Sequence, residues 1–102
     1  MNLAKSPAYR NRKILDFARD QPCVICGSEG TTVAAHYSGL YSSMLGKAMG
    51  QKAGDHCVAY LCDMHHREFD LYNGGNVESR AIEFMLAIFE TQRRWLSAGV
   101  VK

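Results

Sequence analysis

Apolar residues recur along the chain in blocks whose spacing changes from one block to the next. Over 9–20, Ile14, Leu15, Phe17 and Ala18 fall at spacings that give a helix one apolar side, and Pro22 closes the segment. After Gly30 the run Thr31-Thr32-Val33-Ala34-Ala35-His36 is rich in β-branched residues, which predicts a short strand ending at His36. The stretch 39–54 holds Gly39, Gly46, Gly50 and Gly54 with Ser42, Ser43, Lys47 and Lys52, so it reads as a long loop, and loops of that length in small domains are often functional. A second strand is predicted over 56–61 and a short helix over 62–70. Asn73-Gly74-Gly75-Asn76 then breaks the chain and caps a long last helix, about 76–97. Along that helix Ile82, Met85, Leu86 and Phe89 repeat at three and four, with Phe84, Ile88 and Trp95 widening the stripe, so these residues are expected in the core.

With 102 residues the chain fits one domain. A domain of that size buries roughly 65% of the surface its unfolded chain exposes, which leaves little surplus stability and makes a covalent or metal staple valuable. No apolar run approaches the ~20 residues of a membrane helix, and residues 1–7 lack the apolar stretch of a secretory signal. A cytoplasmic protein is therefore expected, in the host cytoplasm if a phage encodes it. The formal charge of +2 is small but uneven. Lys5, Arg10, Arg12, Lys13 and Arg19 face only Asp16 over 5–19, a local balance of five minus one, or +4. Such a patch could meet phosphate, although on charge alone the solvated face of an amphipathic helix is the better explanation.

Two cysteine disulfides would account for four Cys, but the Cys23-x2-Cys26 pair in a reducing compartment is better explained by a metal. Cys62-x2-His65 repeats that spacing. Each pair lets two ligands from one tight turn or helix start reach a single tetrahedral ion, so Cys23, Cys26, Cys62 and His65 are assigned to structural zinc. The 35 residues between Cys26 and Cys62 exceed the roughly 12 to 15 of an ordinary finger, so the closed loop carries more than a turn. Cys57, the remaining thiol, is expected to be a small buried side chain.

His66 follows the last zinc ligand and points to another side of the helix, with Asp70 one turn on. A mixed imidazole and carboxylate pair suits a second ion, Mg²⁺, Mn²⁺ or Ni²⁺. His36 closes the first predicted strand, and taken alone it is as well explained as an ordinary surface histidine. Phosphodiester hydrolysis needs a base for water and a cation for the departing oxygen, and His36 with an ion at His66 can supply both.

Cys23-x2-Cys26, Ala35-His36, Gly50-Gln51-Lys52-x2-Asp55 and Leu61-Cys62-x2-His65-His66-x3-Asp70 together resemble the HNH nucleases, also called ββα-metal or His-Me finger enzymes. More narrowly, they are similar to small phage-encoded HNH-like families to which the RecA-dependent phage nuclease is related. The resemblance covers about 23–70, roughly half the chain. It implies an α+β fold: a zinc-stapled ββα-metal core over 23–70, here flanked by an N-terminal and a long C-terminal helix in a single domain, 1–102. It also implies that His36 is the general base, that His66 binds the catalytic ion with Asp70 where relatives often have a second His, and that one DNA strand is cut at a time. Ala35 stands where many members carry a metal-binding Asp or His, and Asp55 matches the narrower phage pattern, either binding metal or fixing the orientation of His36.

DNA is thus the expected partner, with Lys47, Lys52, Arg67, Arg10, Arg12 and Lys13 as candidate phosphate contacts. The alternative is a noncatalytic zinc module that binds nucleic acid or a recombination protein through the basic first helix or the apolar last one. A purely structural reading makes the last helix a dimer surface.

Overall fold

The computed structural model describes residues 9–37, 53–71 and 77–101. The predicted 39–54 loop apart from Ala53 and Gly54, the Asn73-Gly74-Gly75-Asn76 break, Lys47 and Lys52 lie outside the described residues, and Asp70 is described in its backbone only. The described chain is a compact α+β fold of three helices and one two-stranded antiparallel sheet.

Helix α1, Arg12–Phe17, begins later than periodicity suggested because Asn11 caps it, its side chain accepting from the Lys13 amide. A single 3₁₀ turn, Ala18–Asp20, continues to Pro22. Ile14 and Ala18 are buried from this segment. Strands β1, Val33–His36, and β2, Val58–Leu61, are each about two residues shorter than predicted and pair with Val33 opposite Leu61 and His36 opposite Val58.

Alternation along β1 and β2 divides the hairpin into two faces. Ala35, Ala59 and Leu61 join Cys57, Tyr37, Phe84 and Ile88 in one apolar cluster, against which Phe69 of helix α2, Asp63–Leu71, packs. On the other face Val58 and Tyr60 join Ile14, Ala18 and Trp95, with Ala34 packed beside them. The Tyr60 hydroxyl ties this face to α1 by donating to the Ile14 carbonyl at 2.5 Å, and burial pushes that phenol up from its ordinary pKa.

Helix α3, Val77–Ser97, lies along β2. The Tyr37 amide bonds to the Cys57 carbonyl, so the alternate residue Tyr60 turns its backbone groups away from β1. Both are satisfied: the Tyr60 amide donates to the buried Thr91 hydroxyl at 3.0 Å, and its carbonyl accepts from the Val24 amide at 2.9 Å. At Tyr60 the outer edge of β2 is thereby covered. Thr91→Val keeps the side-chain shape but strands the Tyr60 amide, so urea unfolding should show a loss of about 1–2 kcal/mol.

The apolar stripe predicted on α3 is placed differently in the structure. Ala81, Phe84, Ala87, Ile88, Thr91 and Trp95 are buried, whereas Ile82, Leu86 and Phe89 are 59%, 61% and 61% exposed, and Met85 is partly buried. With Phe84, Ile88 and Trp95 packed into the two apolar clusters, the Ile82-Leu86-Phe89 arc is left facing outward. Among the described residues no helix is long and apolar enough to cross a membrane.

Candidate metal centre and histidine site

Pro22 delivers the chain into a tight turn at Cys23. The Cys23 carbonyl accepts from the Gly27 amide at 2.8 Å, the Cys23 amide donates to the Ser28 carbonyl, and the Ile25 amide points at the Cys23 Sγ at 3.4 Å. Gly27 takes φ +78°, which closes the turn where a side chain would be strained. Val24 hangs this turn on β2 through Tyr60, and the Arg94 guanidinium of α3 donates to the Pro22 carbonyl at 2.6 Å. Cys62 leaves the end of β2 and His65 sits in the first turn of α2, so strand and helix bring the second pair to the first.

The ligand atoms of Cys23, Cys26, Cys62 and His65 all lie within 4.8 Å of one another. Cys26 and Cys62 sulfurs are 3.8 Å apart, and the Nδ1 atom of His65 is 3.7 Å from the Cys23 sulfur and 3.3 Å from the Cys62 sulfur. A tetrahedral zinc with Zn–S of about 2.3 Å and Zn–N of about 2.0 Å has edges of about 3.5 to 3.8 Å, so the donor set fits such an ion. The Cys26 thiol is lowered to about 6 by hydrogen bonds from the Ser28 hydroxyl and amide, which favours the thiolate a metal needs. Cys62 goes the other way: the His65 amide favours its thiolate, but burial and the neighbouring sulfurs of Cys26 and Cys23 together push it up. Sulfurs crowded in this manner are relieved by a cation. These four residues can hold a metal ion such as zinc. Cys57 is buried in the apolar cluster, where burial raises its thiol.

On the other face of the hairpin, the His36 Nε2 atom lies 2.8 Å from the Asp55 Oδ1 atom. Asp55 is buried, and it also accepts from the Asn11 amide at 2.7 Å and from Arg10 at 3.2 Å. Burial pushes the Asp55 carboxyl up, but the His36 hydrogen bond, the Asn11 amide and the charges of His36 and Arg10 outweigh it and hold the group below its ordinary value. An ionised carboxylate only accepts, so the His36 Nε2 atom is the donor in this pair, and whenever the ring is neutral its lone pair is on Nδ1.

No family model, curated protein or solved structure matches this chain. His36 is brought to Asp55 and Arg10, whereas His66 rides on α2, which packs through Phe69 against the face that holds Ala35. The half-buried His66 donates its amide to the Cys62 carbonyl. Arg67 is exposed on the same helix. Arg10 donates to the Ala53 carbonyl at 2.6 Å as well as to Asp55, so it braces the carboxylate, while Arg12 pairs with Asp16 and Lys13 is exposed. Composition gave no sign of Arg10 as a partner of Asp55 or of Ser28 as a partner of Cys26. Only the Ser28 contact, two residues from its cysteine, had a local signal: a hydroxyl beside a Cys-x2-Cys turn.

Proposed function

We propose that this chain is a metal-dependent endonuclease of the HNH kind that hydrolyses DNA phosphodiester bonds. The observation that carries the reading is the Asp55–His36 pair, a buried carboxylate bonded to a strand-end histidine, in a chain that also gathers a zinc-type cluster at the far end of the same hairpin. His36 Nδ1 takes a proton from water as the water oxygen attacks phosphorus. The bond from phosphorus to the 3′ oxygen breaks, and that oxygen takes a proton from solvent, leaving a 5′ phosphate and a 3′ hydroxyl. Asp55 keeps its own proton off and stabilises the imidazolium as it forms. When bound at His66, with Asp70, a divalent ion such as Mg²⁺ would neutralise charge on the phosphate and the departing oxygen. Ala35 is buried in the apolar cluster and would bring no ligand to such an ion. Processing of phage DNA during recombination or repair fits this reading.

Nicking of supercoiled plasmid with Mg²⁺, Mn²⁺ or Ni²⁺ tests it. Wild type should cut, and His36→Ala, confirmed folded and zinc-loaded, should cut at least about 10²-fold more slowly. Equal cutting by both would place the base elsewhere, and cutting by neither would leave a zinc module without hydrolase activity.

A further inference from the structure

Between α1 with its following 3₁₀ turn and the outer side of β1 lies a cleft of about 330 Å³ lined by Arg12, Asp16, Arg19, Thr32 and His36 among others. We infer that this cleft holds a backbone phosphate of the nucleic-acid strand, with Arg12, Arg19 and the Thr32 hydroxyl as its donors and His36 at its end. The inference rests on the nuclease reading and adds the place where the substrate strand is gripped.

Four features of the cleft point to an anion. Thr32 is only 6% exposed, and its hydroxyl oxygen is enclosed with no hydrogen-bond partner. A buried hydroxyl without a partner is costly, and an incoming oxygen would satisfy it. Arg19 is exposed and, among the described residues, makes no ion pair. Arg12 is held by Asp16 at 3.1 Å, but both side chains are more than half exposed, and such pairs are weak enough to exchange for a phosphate. His36 is anchored to Asp55 through Nε2, which leaves the rest of its ring to line the cleft.

A guanidinium offers a planar fork to phosphate oxygens, and a threonine hydroxyl adds a neutral donor, so the set is that of a phosphodiester contact. A strand is favoured over a free phosphate because the positive charge does not stop at the cleft: Lys13 continues it along the exposed side of α1. Asp16 keeps the local balance modest, which suits a monoanionic diester better than a dianion.

The test is fluorescence anisotropy of a 5′-labelled 20-nucleotide DNA, single-stranded and duplex, with zinc-loaded protein and no added catalytic ion, across a salt series. The double variant Arg12→Ala/Arg19→Ala should bind about tenfold or more weakly with a shallower salt dependence, and Thr32→Val should bind severalfold more weakly with an unchanged or higher Tm. Arg93→Ala, on the exposed side of α3, should bind as wild type does. Unchanged DNA binding in the double variant overturns the cleft, even if His36→Ala abolishes nicking and the nuclease reading stands. Displacement of DNA by inorganic phosphate at low millimolar concentration also overturns it, in favour of a free-anion site. Weakened binding in a protein that never nicks DNA would keep the cleft while ending the nuclease reading.

Discussion

Cys26→Ala is expected to leave the protein unfolded at 25 °C, with no cooperative melt by circular dichroism and no stoichiometric zinc. Packing cannot be the reason, because Cys26 is exposed and its side chain buries almost nothing. The effect comes from removing one of four ligands. Structural zinc contributes about 10–16 kcal/mol in peptide systems, and the net stability of a small domain is about 5–15 kcal/mol, so losing most of the first exhausts the second. The comparison with Cys57→Ala separates the two causes. Cys57 is buried in the apolar cluster yet stands apart from the other three thiols, so its replacement should cost only about 1 kcal/mol and leave zinc at one per chain. A Cys26→Ala protein that melts within a few degrees of wild type would mean that the cluster holds no structural ion.

Asp55→Asn should lower stability by about 2–4 kcal/mol and slow plasmid nicking by 10² or more. Three donors converge on the carboxylate, from His36, the Asn11 amide and Arg10. An asparagine offers one acceptor oxygen and turns an NH₂ group toward the remainder, so buried donors lose their partner. Arg10 is nearly half exposed and can find water, which keeps the loss below that of a fully buried network. The His36 ring would then be free to place its proton on Nδ1, where it cannot accept one from water. Because the folded-state value of Asp55 lies below the ordinary carboxylate value, its stabilisation is present above the unfolded value of about 4 and disappears as pH falls through the folded one. Urea unfolding of the two proteins should therefore differ at pH 7 and converge in acid below about pH 4. A constant difference across that range would mean that the carboxylate charge plays no part.

The order of elements and the metal cluster were legible because both are written locally. Cys-x2-Cys and Cys-x2-His declare themselves through spacing alone, and β-branched runs beside glycine mark the strands. Strand ends were read long because Thr31 and Thr32 have the composition of a strand, yet Thr31 is spent on α2, where its hydroxyl accepts from the Asp63 amide. The buried side of α3 was read only in part. Its apolar residues occupy two arcs: Phe84, Ile88 and Trp95 are buried as expected, with Ala81, Ala87 and Thr91 beside them, whereas Ile82, Leu86 and Phe89 lie on the arc left exposed. The Asp55–His36 pair spans 19 residues and the Arg10–Asp55 pair 45, separations set by hairpin register and by the docking of the chain before α1. The resemblance offers the orientation of His36 as one of two roles for Asp55, whereas nothing in the sequence announces Arg10 as its partner.

Cys26 and Cys62 meet beside the end of the hairpin where Val33 faces Leu61, not at the end where the strands are joined. A metal there works as a clasp on an open cuff. Closing a connection of some twenty residues by chance is slow and entropically costly, but an ion that gathers the free ends first fixes which residue meets which before the sheet zips. Without the clasp, a pairing slipped by one residue would turn His36 to the opposite side of the hairpin, away from Asp55. Metal loading would therefore act as proofreading for the histidine site: an ion at the open end favours the one register in which His36 meets Asp55.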